Sequence, residues 1–232
     1  MTRQNYYSQM SVDELVCAAA KAKKGKKYEP VQPIDRRKIC TSWWGQAWCR
    51  NMEMYSDYEN RLPRGKRYVR AGAVVDLKIE KGKATARVQG TRAKPYRVEI
   101  EIEPVSEKTK QEILKRCEFG IHSLECLANG DFPNELQDLF QMKNGLFPSP
   151  QQIHFHCSCP DWAYMCKHVA AALYGIGVRL DENPFLFFTL RDIDPHDLIE
   201  KTIGNKLEAM LKNASRPSKR ILHEDPDDLF GL

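Results

Sequence analysis

Hydrophobic positions recur every three to four residues early in the chain, switch to every second residue in the middle, and return to the longer spacing afterwards. The first helical stretch is "SVDELVCAAAKAKK", with Ser11 at the N-cap and Glu14 three residues on, the reciprocal arrangement that satisfies two free backbone N–H groups. A second runs from Thr41 or Ser42 through "WWGQAWCRNMEMYSDYEN", where Trp44, Trp48, Met52 and Tyr55 share a face. Trp43, Trp44 and Trp48 at this spacing read as core, not as a ligand platform. Then Ala71, Ala73, Val75, Leu77 and Ile79 alternate with polar residues, as do Ala84, Ala86 and Val88, and Tyr96, Val98, Ile100 and Ile102. A tight turn and a short loop separate the three runs, so they predict an antiparallel three-stranded meander with one face in water.

Beyond the meander, "SEKTKQEILKRCEF", "IHSLECLANG" and "NELQDLFQM" are expected as helices broken by glycine and proline. "QIHFH" alternates like a strand, and "KHVAAALYGIG" reads as a helix ending near Gly175 or Gly177. "NPFLFFTLRDI" and "PHDLIEKTIGNKLEAMLKNA" follow as helices, the second with Pro195 in its first turn. The fold class is therefore α+β. Its expected organisation is an N-terminal helix and basic linker (1–33), the aromatic helix and meander (34–105), a helical connector (106–148), a small strand–knuckle–helix unit (149–178), C-terminal helices (179–214) and a disordered acidic tail (215–232).

That small unit carries the most specific chemistry. Cys157 and Cys159 form C-x-C, six residues follow, and Cys166 and His168 form C-x-H. Three thiolates and one imidazole suit the borderline-soft zinc ion, and a complete tetrahedral shell leaves no position for water or substrate. One structural Zn²⁺ is expected. His154 and His156 also lie within reach, as substitutes for His168 or as supports behind the ligands. The pairing of His168 with Cys166, which repeats that of Cys157 with Cys159, favours His168. The dense apolar run Phe185 to Phe188 is expected to cover this unit.

The spacing C-x-C-x₆-C-x-H before a small-residue helix resembles the SWIM zinc finger, found in bacterial partners of SWI/SNF-type ATPases, plant MuDR-type transposases and a eukaryotic kinase. "TSWWGQAW", "SDYENRLPRGKRYVRAG", "CSCPDWAYMCKHVAAALYG" and "LFFTLRDID" look like the bacterial SWIM family, so the likeness covers roughly residues 35 to 195. All four ligand positions match that motif. The resemblance implies a zinc-dependent module for DNA or protein, with a RapA-like, SWI/SNF-type helicase-related ATPase as partner.

Composition narrows the rest. With 232 residues and 42% apolar content the chain can bury a real core. No apolar run reaches membrane-spanning length, and "MTRQNYYSQMSVDEL" lacks the apolar segment of a secretory signal. Outside the metal motif, Cys17, Cys40, Cys49, Cys117 and Cys126 are scattered and odd in number, which argues against a disulfide framework and for the cytoplasm. Net charge is only +5, but from Lys21 to Arg70 fourteen Lys and Arg face five Asp and Glu, so the basic character is local.

The tight turn "EKGK" returns the chain, so the loop "GTRAKP" falls beside "RLPRGKRYVR" at one end of the meander. Arg61, Arg64, Lys66, Arg67, Arg70, Arg92 and Lys94 then converge as loop charges, with Tyr58, Tyr68 and Tyr96 available to stack. A polyanion such as DNA or another nucleic acid would read that surface. Catalysis finds no support: there is no P-loop, no G-x-S-x-G and no H-E-x-x-H, and the metal motif takes the best nucleophiles. Two function classes remain, a non-enzymatic zinc-stabilised DNA-binding adaptor and a protein-interaction subunit of an ATPase.

Overall fold

A computed structural model describes residues 10–32, 37–117, 129, 137–142 and 144–214. Among them lie eight helices and four strands: α1 (Val12–Lys23), α2 (Trp43–Glu53), α3 (Arg61–Arg70), β1 (Val74–Glu80), β2 (Lys83–Val88), β3 (Tyr96–Ile102), α4 (Glu107–Cys117), α5 (Asp138–Gln141), β4 (Ile153–Cys157), α6 (Lys167–Glu182), α7 (Leu186–Leu190) and α8 (Pro195–Ala214). The helix expected over 121–130, apart from residue 129, and the tail 215–232 fall outside the described residues, as do 134–136 of the helix expected over 134–142, whose remainder holds α5.

The meander forms, but its sheet has four strands, not three. The order is β1-β2-β3-β4, every pair antiparallel, and β4 is the strand expected to belong to the metal unit alone. Ile100 faces Phe155 and Ile102 faces Ile153, so the apolar row of β3 continues into β4. Pairing there also covers an edge whose backbone groups would otherwise stand open.

One face of the sheet is apolar and lies under α6. Leu77, Ala86, Val98, Ile100 and Ile153 are all buried on it. α6 itself is buried on nearly every side from His168 to Leu180, as a helix between two layers must be. Its far side is held by α2 and α3. Trp48 Nε1 donates to the Leu173 carbonyl at 2.9 Å, Trp44 Nε1 to the Leu180 carbonyl at 2.9 Å, and the Tyr174 hydroxyl to Glu53 at 2.8 Å. The tryptophans are thus core residues with their polar edges satisfied, as buried indoles require.

Four local expectations change. α6 runs past both glycines to Glu182, and Pro184 follows shortly after. Gly177 serves close approach: a Cβ there would stand 2.8 Å from Cys40 Sγ and 2.9 Å from Cys49 Sγ, two free thiols 3.4 Å apart. α2 stops at Glu53. "RLPRGKRYVR" is a helix, α3, with Pro63 in its first turn where the missing N–H is tolerated. Phe187 packs on Trp48, Phe140 and Phe147, while the Gly82 N–H donates to the Thr189 carbonyl. The phenylalanine run therefore covers the β1–β2 turn end of the sheet, away from the cysteines. α1 and α8 match expectation, the first with both bonds of its capping box, Ser11 N–H to Glu14 at 2.7 Å and Glu14 N–H to Ser11 Oγ at 3.1 Å.

Candidate metal centre

β4 carries its chain out of the sheet at Cys157, opposite Val98 of β3. The exit is fixed by a reciprocal pair: the Ser158 N–H donates to the Arg97 carbonyl at 3.0 Å, and the Arg97 N–H donates to Ser158 Oγ at 2.9 Å. Cys159 follows, and Pro160 and Asp161 turn the chain. Asp161 accepts from the Ala163 N–H at 3.3 Å and from Arg61 of α3 at 3.1 Å. Asp57, just beyond α2, accepts from the Tyr164 N–H at 2.7 Å and the Met165 N–H at 3.1 Å. Two carboxylates thus pin the backbone that presents the next ligand.

Cys166 is the N-cap of α6, and its sulfur accepts from the Val169 N–H at 3.5 Å. Free amides and the helix dipole favour a thiolate there. His168 sits in the first turn with Nδ1 toward the sulfurs, 3.9 Å from Cys157 Sγ and 4.0 Å from Cys166 Sγ. Its ring stacks on Tyr96 at 4.2 Å and meets the edge of Tyr68 at 5.5 Å. Gly90 leaves the space this requires, since a Cβ would lie 3.1 Å from His168 Nε2 and 2.8 Å from the Tyr96 ring. Nε2 is buried and makes no hydrogen bond, so on that side packing against the two tyrosines holds the ring.

The ligand atoms of Cys157, Cys159, Cys166 and His168 all lie within 4.8 Å of one another, close enough to hold one metal ion. Their protonation shows what a cation would change. Hydrogen bonds from Cys157 and Cys166 pull the Cys159 thiol far below its ordinary value. The same sharing, with Cys159 first and burial after, pushes Cys157 far above it. Cys166 stands at about 11: its bond with Cys157 lowers it, but sharing with Cys159 and burial outweigh that. Burial holds the His168 imidazole below its usual range. Without a cation the three sulfurs share their protons; a dication releases them by taking all three as thiolates.

His154 and His156 point the other way, exposed on the outer face of β4. The seven basic residues divide. Arg61 is paired with Asp161, Lys66 with Glu53 at 2.8 Å, and Arg70 donates to the Arg37 carbonyl at 3.0 Å. Arg64 and Arg67 lie near enough to Tyr68 to act on its hydroxyl, and Arg92 sits 5.2 Å over the Tyr96 ring. These three gather around the two tyrosines that clasp His168. Lys94 lines a recess on the outer face of the sheet. The role of Asp57 carries no signal in the sequence, because its partners are backbone amides that only the fold brings near, and the pairing of Asp161 with Arg61 likewise spans a hundred residues.

No described helix is long and apolar enough to cross a membrane. No protein-family model matches the chain, and no solved structure does. The chain is similar to "Uncharacterized protein Rv2102" of Mycobacterium tuberculosis, 33% identical over 166 residues that make up 71% of this chain and 60% of that protein, so it spans less than two thirds of its relative.

Proposed function

We propose that the chain is a zinc-binding, non-enzymatic adaptor that binds nucleic acid and acts beside a SWI/SNF-type ATPase. The observation that carries it is the four-ligand cluster, complete and within reach of a single ion. Three thiolates and an imidazole favour zinc over magnesium, calcium or manganese, and a full shell supports structure instead of catalysis. Zn–S near 2.3 Å and Zn–N near 2.0 Å put sulfur and nitrogen about 3.5 Å apart on a tetrahedron, so a small inward movement closes the site.

Zinc held there fixes His168, and through the Tyr68 and Tyr96 rings the ground under Arg64, Arg67 and Arg92. Those arginines are the proposed phosphate contacts. Replacing Arg64 and Arg67 by alanine is expected to weaken binding to duplex DNA and lower the salt slope by roughly one unit per lost contact, with metal content unchanged. Undiminished DNA binding by that variant rejects the arginine face.

A second reading, a protein-docking subunit without direct nucleic-acid binding, is favoured by one observation. Trp162, at the turn between the ligand pairs, is 79% exposed, with Tyr58 at 5.3 Å and half-exposed Tyr164 two positions on. If Trp162→Ala abolishes capture of an ATPase while DNA binding is absent in the parent, this reading replaces the first.

A further inference from the structure

The outer face of the sheet changes character along its strands. Toward the β1–β2 turn the charges cancel: Lys83 lies 3.3 Å from Glu99 and 3.2 Å from Glu101, and Lys81 lies 2.9 Å from Asp194. At the opposite end is a recess of about 760 Å³, bounded by the end of α1, the β2–β3 loop and strands β2 to β4. Six cations line it, Lys21, Lys24, Lys26, Arg87, Lys94 and Arg97, against one carboxylate, Glu99, which Lys83 already engages. Among the described residues no carboxylate lies in ion-pair contact with Lys21, Lys24, Lys26, Lys94 or Arg97. Arg87 is 3.6 Å from Asp76, and its guanidinium lies 5.7 Å over the Tyr28 ring, which also lines the recess.

Cations gathered around one hollow repel one another, and the arrangement is relieved by a partner carrying several negative charges. We propose that this recess binds a single-stranded nucleic acid, its phosphates against the lysines and Arg97 and a base against the Tyr28–Arg87 pair. The inference rests on the nucleic-acid reading above and places a separate contact surface on the chain, of which only Lys94 belongs to the set singled out in the sequence. A hollow of this size takes one or two nucleotides, as pockets of several hundred Å³ take small molecules. A duplex presents its phosphates on a convex cylinder and cannot enter. An acidic peptide would use the lysines but brings a flat ring only at an occasional aromatic residue, whereas every nucleotide brings one to the aromatic–guanidinium pair.

The recess is tied to the metal centre through β4. Ser158 lines it and stands between the ligands Cys157 and Cys159, bonded both ways to the backbone of Arg97. The metal side of the strand end and the recess side are therefore two faces of one short segment. Metal removal is expected to weaken single-strand binding as well.

The test is fluorescence anisotropy with the full chain as purified, titrated into labelled oligothymidylate of about 20 nucleotides, longer than a typical single-strand site, and into duplex DNA over a range of salt. Single strands are expected to bind tighter than duplex. Lys24→Ala, Lys94→Ala and Arg97→Ala combined should weaken single-strand binding about tenfold or more and flatten the salt slope by about two units, at roughly 0.7 per phosphate contact. Tyr28→Ala should weaken it with the slope unchanged, because stacking releases no counterions. Metal content and far-UV circular dichroism confirm that each variant is folded. If the triple variant binds like the parent while Arg64→Ala/Arg67→Ala does not, the nucleic-acid reading stands and the recess is not the site. Preference for duplex, or competition by polyglutamate as strong as by oligothymidylate, also overturns the inference. Absence of nucleic-acid binding by the parent removes both.

Discussion

β4 is held differently at its two ends. At the entrance the fully buried Arg191, just past α7, donates to the carbonyls of Gly145 at 2.9 Å, Glu103 at 2.7 Å and Asn144 at 3.3 Å, and to Gln152 Oε1 at 3.2 Å. At the exit the chain wraps the Cys157, Cys159, Cys166 and His168 cluster. Both loops lack a regular ladder; one is gathered around a guanidinium, and the other around four side chains placed to hold a metal ion, the positive centre of the proposed function. A covalently attached cation is always present; a bound one can be withdrawn. Burial lowers Arg191 to about 10, partly countered by Glu103, so it stays charged at neutral pH and below. Metal affinity at the exit depends on thiols that must lose protons.

The largest expected effect is therefore metal withdrawal. A chelator should abolish hydrogen-exchange protection over residues 157–170 while 144–152 and β1–β2 keep theirs; metal binding to zinc-finger peptides contributes about 10–16 kcal/mol to folding. Equal loss at both ends would show one cooperative unit and end the contrast. Lowering pH from about 8 to 5 should act in the same direction, since protons compete for Cys157 and for Cys166, which stands at about 11 in the metal-free site. The Arg191 end should not respond. Its pKa, lowered in the fold, lies above this whole window, so its protonation is unchanged across it.

Arg191→Met ranks next. It leaves three carbonyls without their donor and takes one of two from Gln152 Oε1, which keeps the Ser149 N–H, at about 3–5 kcal/mol in all, read as a lower urea midpoint with unchanged metal affinity. An unfolding free energy within about 1 kcal/mol of the parent would mean water replaces the guanidinium. Asp57→Ala frees the Tyr164 and Met165 amides and should weaken metal binding about 10–100-fold in competition with a chromophoric chelator, the usual consequence of losing a group that orients ligands. Ser158→Ala removes one bond to Arg97 and should cost about 1 kcal/mol, with a metal affinity close to that of the parent.

The same contrast governs what the sequence discloses. The exit is legible because ligation needs particular side chains at particular spacing, and cysteine and histidine announce themselves. The meander is legible because an alternating pattern has one way to bury one face. Arg191 is not legible: it is a lone arginine after an apolar run, and its acceptors are the distant carbonyls of residues 103, 144 and 145 and the Gln152 amide oxygen. α3 escapes for a related reason, because its proline, glycine and few apolar residues give little helical signal, and packing against α6 supplies the rest. β4 itself is legible as a strand, but its place in the sheet is not, because pairing with β3 joins positions more than fifty residues apart. Gly177 misleads in the other direction, being a point of close packing where the spacing reads as a helix stop.

X-ray absorption on the protein as purified reads the ligand shell of the Cys157, Cys159, Cys166 and His168 cluster itself. One zinc per chain is expected, with three sulfurs at about 2.3 Å and one nitrogen at about 2.0–2.1 Å, and no exchangeable ligand. Absence of metal, or a shell rich in oxygen and nitrogen with an open position, would contradict it.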